Sequence, residues 1–239
     1  MSHQYETGNA KNVANFQKLI KQITLFTDYN PSISSLTLEN LNTLYTTGHT
    51  SITELLTARN ANKVAKHKRQ QDYENLKPLC TKVINLLEIL GLNKGDLDQA
   101  KSLNNSIQGY RKKKTTTDSN QEEEHKSIST SRQSYTQKAE NFTKLIQLLT
   151  TIPSYNPNPE DLKLASLTAY RDILVSNTLT VDQTEAAQNV KLINRNNILY
   201  TEGTGLYTIA QNVKKYIKSI YGANSAEYSK IAKIKFTTP

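Results

Sequence analysis

The sequence predicts an all-α protein built from two tandem copies of one antiparallel helical bundle, with three to four helices in each copy and long helices among them. Three observations carry that expectation. Apolar residues recur three and four apart along most of the chain, as they do on the buried face of a helix. No stretch alternates apolar and polar residues as a half-buried strand does. Residues 15–41 also reappear at 141–167 without a gap, with 12 identities in 27 positions, where chance gives about one or two.

The first helix carries Phe16, Leu19, Ile20 and Ile23, then Phe26 or Thr27, on one face. It stops at Asp28-Tyr29-Asn30-Pro31-Ser32, because a residue before proline avoids the helical region and the ring removes a donor. In the second copy Phe142, Leu145, Ile146, Leu149 and Ile152 repeat the face, and the proline-rich stretch 153–159 repeats the stop. The repeated Tyr-Asn-Pro is thus a helix–loop–helix corner, with Ser34, Ser35 or Asn158 placed to cap the helix that follows.

After the corner a heptad pattern begins. Leu38, Leu41, Tyr45, Gly48, Ile52 and Leu55 are followed in the same positions by polar Arg59, Asn62, Lys66 and Arg69, before Tyr73, Leu76, Cys80, Val83, Leu87 and Leu90 resume it. The second copy runs from Leu164, Leu167, Leu174 and Val181 through Glu185 and Gln188 to Leu192, Leu199, Leu206, Ile209, Val213 and Ile220. A polar seam on a packed face is costly without partners, so two helices meeting near the polar interval are expected rather than one. Neither proline nor a glycine pair marks that turn. Gly91 and Gly222 act as C-caps, and short helices over about 95–108 and 224–235 close the copies. Between Gly91 and Gly222 the spacing of the copies has slipped by five residues relative to the corner.

Residues 112–133 lack a periodic apolar face, and their basic, Thr-rich, acidic and Ser-rich patches read as a flexible linker. The expected domains are therefore 1–111 and 134–239, each copy closing on itself. A chain of 239 residues has enough length for such cores without staples. Its single cysteine excludes an internal disulfide.

Hydrophobic residues make up 36% of the chain and mean hydropathy is −0.62. The N-terminus has no apolar stretch of the signal-peptide kind, and the most apolar run, VINLLEILGL, is short and broken by Asn85 and Glu88. A soluble cytoplasmic protein is the default, with export lacking a classical signal left open. The net charge of +9 divides into excesses of +4, +2 and +3 over residues 1–111, 112–138 and 139–239. A dedicated polyanion groove concentrates its charge on one element, so a solvated lysine-rich surface is the plainer account.

Several phrases resemble a known family: GNAKNVANFQKLI before YNPS, AKSLNNSIQGYRKK, PSYNPNPEDLKLASL, and ILYTEGTGLYTIAQNVKKYIKSIYGANSAEYSKIAKIKF. It is a family of two-repeat helical proteins from the Bacteroidetes, and the likeness runs from about Gly8 to Phe236. The resemblance implies the two-copy helical layout and brings no activity, cofactor or site residue with it. ARNANKVAKHKRQQDYENL in the first half departs from the family's small-residue pattern.

A search for chemistry finds little. His3, His49, His67 and His125 are scattered, and the one Glu-x-x-His, Glu122 before His125, falls in the linker, so no metal or cofactor site is expected. Cys80 holds a heptad core position, where it packs as a small apolar residue. The glycines of Glu202–Thr208 follow no strand, which argues against a phosphate loop and for a kink within a helix or the close approach of a neighbouring helix. The candidate contacts for an anionic surface are Arg111, Lys112, Lys113 and Lys114 with Tyr110 beside them, and Lys214, Lys215 and Lys218 near Tyr216, Tyr221 and Tyr228. Tyrosines lining packing seams explain the same pattern. The sequence thus points to a non-enzymatic structural or interaction protein that meets a protein partner or its own copies, with no small-molecule ligand evident. The alternative is a weak, sequence-independent binder of nucleic acid or another anionic surface.

Overall fold

The computed structural model describes residues 4–109 and 133–238, so the expected linker lies outside the described residues. The protein is all-α, with no strand among the described residues. Eight α-helices follow one another among the described residues: α1 (Gln4–Ile23), α2 (Leu38–Glu74), α3 (Leu76–Ile89), α4 (Lys94–Gln108), α5 (Tyr135–Thr150), α6 (Leu164–Tyr200), α7 (Leu206–Tyr221) and α8 (Ala226–Ala232).

The repeated corner has the same construction twice. Each copy passes from its first helix through Tyr-Asn-Pro into a 3-10 turn, Ser34–Leu36 in one and Glu160–Leu162 in the other. Buried Tyr29 donates its hydroxyl to the Leu36 carbonyl at 2.6 Å, and Tyr155 donates to the Leu162 carbonyl at 2.7 Å. The tyrosine shared by the two phrases therefore clamps the turn that precedes the long helix. Burial raises the Tyr155 pKa to about 12, helped by the Asp161 charge, and it raises that of Tyr29 as well, helped by Tyr216. The expected capping role of Ser34 is corrected: its carbonyl and hydroxyl receive the Asn40 side-chain amide, at 2.7 and 3.1 Å, and Thr37 stands at the start of α2.

The expectation of a helix break in the polar interval is also corrected. α2 and α6 are each continuous for 37 residues, and both run through their polar stretch. Partners make this tolerable, because a buried polar group that is hydrogen-bonded escapes most of the desolvation penalty. Asn62, 4% exposed, donates its amide to the Gln188 side-chain oxygen at 2.9 Å and accepts from the Thr184 hydroxyl at 3.4 Å. Positions 62 and 188 are equivalent in the repeat, so the seam meets itself across the two copies.

The breaks fall further on. A single residue, Asn75, separates α2 from α3, while five, Thr201–Gly205, separate α6 from α7. The glycines of Glu202–Thr208 therefore form a turn rather than a kink, and they are the glycine pair that marks the second copy's turn. Gly203 has φ +79, the left-handed region that glycine enters at no steric cost. A Cβ on Gly205 would sit 2.6 Å from the Thr201 nitrogen, so backbone contact excludes any other residue there. The unequal turns account for most of the slip in register: the copies are offset by 126 at the starts of α2 and α6, by 130 at those of α3 and α7, and by 131 at Gly91 and Gly222.

The chain forms two compact units, and they do not follow the sequence copies. One unit collects the described residues up to Asn62 and from Thr184 onward; the other runs from Lys63 to Gln183. The expected division into 1–111 and 134–239 gives way to an exchange. In the first unit Val13, Phe16, Leu19 and Ile23 of α1 pack with Leu206, Val213 and Ile217 of α7 and with Ile231 of α8. In the second, Cys80, Val83 and Leu87 of α3 and Ile107 of α4 pack with Phe142, Leu145 and Leu149 of α5. Each core thus joins the opening helices of one copy to the closing helices of the other. The physical reason is the long helix. α2 begins in the first unit and ends in the second, and α6 does the reverse, so the helix before each and the helix after it belong to different cores.

Within the first unit α2 and α6 run antiparallel, as Glu54–Lys191 (2.9 Å) and Asn62–Gln188 show. Edge-to-face pairs Phe26–Tyr221 and Tyr29–Tyr216, with centroids 5.7 and 5.5 Å apart, close α7 against the corner. The second unit is tied by Tyr73, whose hydroxyl donates to a backbone carbonyl of Tyr135 (3.0 Å) or Leu174 (3.3 Å) and lies 3.1 Å from the Thr178 hydroxyl.

Candidate functional site

Of the candidate anion contacts, Arg111, Lys112, Lys113 and Lys114 lie outside the described residues. The others sit on α7, whose inner face supplies Ile209, Val213 and Ile217 to the first core. Lys214 turns back on its own unit: its ammonium donates to the Ile234 carbonyl and lies 5.2 Å from the centre of the Phe236 ring. Burial, followed by the Lys235 charge, lowers its pKa. Lys218 sits 5.7 Å over the Tyr228 ring, and Lys215 is exposed. Tyr216 and Tyr221 are engaged with Tyr29 and Phe26, and the Tyr221 hydroxyl accepts the Asp28 amide at 3.2 Å. The aromatic partners needed for stacking on bases are therefore occupied in packing.

Cys80 is fully buried, and burial pushes its thiol up to about 12, so at neutral pH it is a protonated core residue. No group of three metal-ligating side chains occurs among the described residues. His49 packs beside Tyr45 with ring centres 6.1 Å apart. An open hollow of about 560 Å³ on α2, lined by His49, Thr53, Glu54, Thr57 and Lys191, gathers neither a nucleophile–base pair nor convergent carboxylates.

Two features escaped the sequence reading. The first is the outer face of α6. In the second unit its segment buries Leu167 and Leu174 and exposes Val175 and Leu179 at 47 and 55%, with Ile173 exposed on the opposite flank. In the first unit its segment buries Leu199 and exposes Val190 and Ile193 at 63 and 57%. Counting apolar residues on the face opposite the heptad would have found them.

The second feature is a cavity of about 220 Å³ in the first unit, lined by Asn9, Ile52, Leu55, Leu56, Arg59 and Arg195. Arg195 is 8% exposed, and its guanidinium donates to the Asn196 side-chain oxygen at 2.7 and 3.3 Å. Burial, followed by the Arg59 charge, lowers its pKa, while Tyr200 acts the other way. Asn9 accepts the Tyr200 hydroxyl at 2.6 Å. The second unit has an arginine at the equivalent position: Arg69 lies under the Tyr135 ring, 4.2 Å from its centre, and its buried Nε has no hydrogen-bond partner among the described residues. The shift of 126, carried beyond the 27 aligned positions, relates Arg69 to Arg195 and Tyr135 to Asn9.

Set against protein-family models, curated proteins and solved structures, the chain finds no match in any of the three. No helix among the described residues is long and apolar enough to cross a membrane.

Proposed function

We propose that this is a non-enzymatic interaction protein, a helical scaffold that presents the outer face of α6 to a protein partner or to a second copy of itself. The observation behind this reading is the apolar exposure along that helix. Val175 and Leu179 are four apart, and Val190 and Ile193 three apart, so each pair shares a face, and each residue is about half exposed or more. Exposed β-branched and leucine side chains grouped on one element suit contact with another surface better than contact with water. The scarcity of reactive geometry supports the non-enzymatic part: the one thiol is buried, and the two hollows described above bring no catalytic set together.

The test is a pair of double substitutions, Val175→Glu with Leu179→Glu and Val190→Glu with Ile193→Glu. Both should leave thermal unfolding close to wild type, since these positions are exposed. At least one should abolish self-association seen by light scattering, or capture of a partner from cells of the source organism. A chain that behaves identically with and without the glutamates ends the reading.

The alternative, a sequence-independent binder of nucleic acid or another anionic surface, has less behind it. Lys214 and Lys218 lie over rings of their own unit, and the neighbouring tyrosines are packed. It would require affinity for a nucleic acid that falls steeply between low and moderate salt; a gel shift insensitive to salt, or none, disposes of it.

A further inference from the structure

We infer that the cavity of the first unit is a binding site for a small aromatic carboxylate, whose ring takes over Arg195 the place that Tyr135 takes over Arg69. α2 and α6 match residue for residue at a shift of 126, as do α5 and the part of α1 from Asn9 onward, so the two arginines and their neighbours can be compared position by position. In the second unit the chain covers its arginine with its own phenol ring, 4.2 Å from the guanidinium carbon, and that ring also meets Tyr73 edge-on at 4.8 Å. In the first unit the covering residue is Asn9, shorter and without a ring, and Tyr73 is replaced by Leu199. Both changes remove aromatic rings from the first unit, and a cavity of about 220 Å³ lies between Asn9 and Arg195. The space holds a single ring with a carboxylate.

Charge and lining then select the ligand. Arg195 is buried, and the side chain that meets it is the neutral amide oxygen of Asn196, at 2.7 and 3.3 Å. A second guanidinium, that of Arg59, lines the same space. A buried guanidinium whose hydrogen-bond partner is a neutral amide favours an anion, and a carboxylate matches the guanidinium fork. The remaining walls, Ile52, Leu55 and Leu56, are apolar, which suits a ring and not a free phosphate or sulfate. A planar ring also stacks on a guanidinium in a way that a saturated ring does not. The inference stands independently of the α6 surface, which it neither uses nor requires.

The test uses the full chain with benzoate, cyclohexanecarboxylate and benzyl alcohol as probes, followed by calorimetry and by amide NMR. Benzoate should bind saturably and shift amides of α1, α2 and α6 around Asn9, Ile52 and Arg195. Benzyl alcohol, lacking the charge, should bind at least about tenfold more weakly, and cyclohexanecarboxylate several-fold more weakly for want of stacking, about threefold or more. Asn9→Tyr should supply the missing ring from the chain itself and abolish benzoate binding in a protein that still melts cooperatively. Arg195→Lys, which keeps the charge and removes the plane, should erase the preference for benzoate over cyclohexanecarboxylate. Absence of saturable benzoate binding by the wild-type chain at millimolar concentration overturns the site, as does binding unchanged in a folded Asn9→Tyr chain. Equal affinity of wild type for the two carboxylates overturns the stacking role of Arg195, whether or not the variants fold.

Discussion

The two units answer the same design problem differently. In the second, a polar anchor borders the core: the Tyr73 hydroxyl reaches the Thr178 hydroxyl and two backbone carbonyls, Tyr135 covers Arg69, and Asn177 donates to the Asp72 carboxylate at 2.5 Å. In the first, the equivalent of Tyr73 is Leu199, fully buried and touching the space over Gly48, and the arginine faces a cavity. The apolar frames, by contrast, agree closely. Leu76, Cys80, Val83 and Leu87 of α3 correspond to Leu206, Ala210, Val213 and Ile217 of α7, all buried. The copies have kept the packing that holds a core together and diverged in the polar groups that line its edge, where a change alters what is bound more than whether the chain folds.

That comparison can be broken where the units agree and sharpened where they differ. The largest effect should come from Phe16→Ala and Phe142→Ala, which remove fully buried rings at equivalent positions and should each cost about 3–5 kcal/mol. Denaturant melts that show similar losses for both would confirm that the two cores are energetically alike, and a loss confined to one would show that they are not. Tyr73→Leu gives the second unit the residue of the first. It removes the Tyr73 hydroxyl's hydrogen bond, leaves Thr178 with its bond to the Leu174 carbonyl alone, and loses the edge contact with Tyr135, and should cost about 1–3 kcal/mol, whereas Leu199→Tyr would have Ile52 at the place of Thr178 and should gain nothing; paired thermal melts decide.

A smaller and symmetrical effect is expected at the corner. Tyr29→Phe and Tyr155→Phe each leave a buried carbonyl, of Leu36 or Leu162, without its donor, and each should cost about 1 kcal/mol. Unequal losses in urea titrations would mean that the clamp matters in one copy only. The smallest effect, absent at neutral pH, concerns Cys80, the counterpart of Ala210. Its thiol stays protonated in the native chain until about pH 12 and ionises near its ordinary value of 9.0 when unfolded. The unfolded state therefore releases its proton first, and the contribution of this group is level below pH 9 and declines as pH rises from 9 toward 12. A thiol reagent at pH 8 should label Cys80 only in denaturant, and rapid labelling of the native chain would contradict its burial.

Much of the frame was legible in the residues. Three-four spacing located the packed faces of α1, α3, α5 and α7, and proline with tyrosine located the two corners, because these signals are local. The length of α2 and α6 was not legible. A polar interval on a packed face reads as a break unless its partners are known, and the partner of Asn62 is Gln188, 126 residues away. The cavity was hidden for a related reason: Asn9 in place of a tyrosine is unremarkable until Tyr135 is found over the equivalent arginine.

The sequence by itself determined that the chain is helical, that one helical motif occurs twice, and where its first corners fall, since backbone preference and apolar periodicity act over a few residues. Only the tertiary structure decided which helices share a core. Each long helix begins in one unit and ends in the other, so the opening half of each copy buries its apolar face against the closing half of the other. No local signal distinguishes that exchange from two self-contained copies.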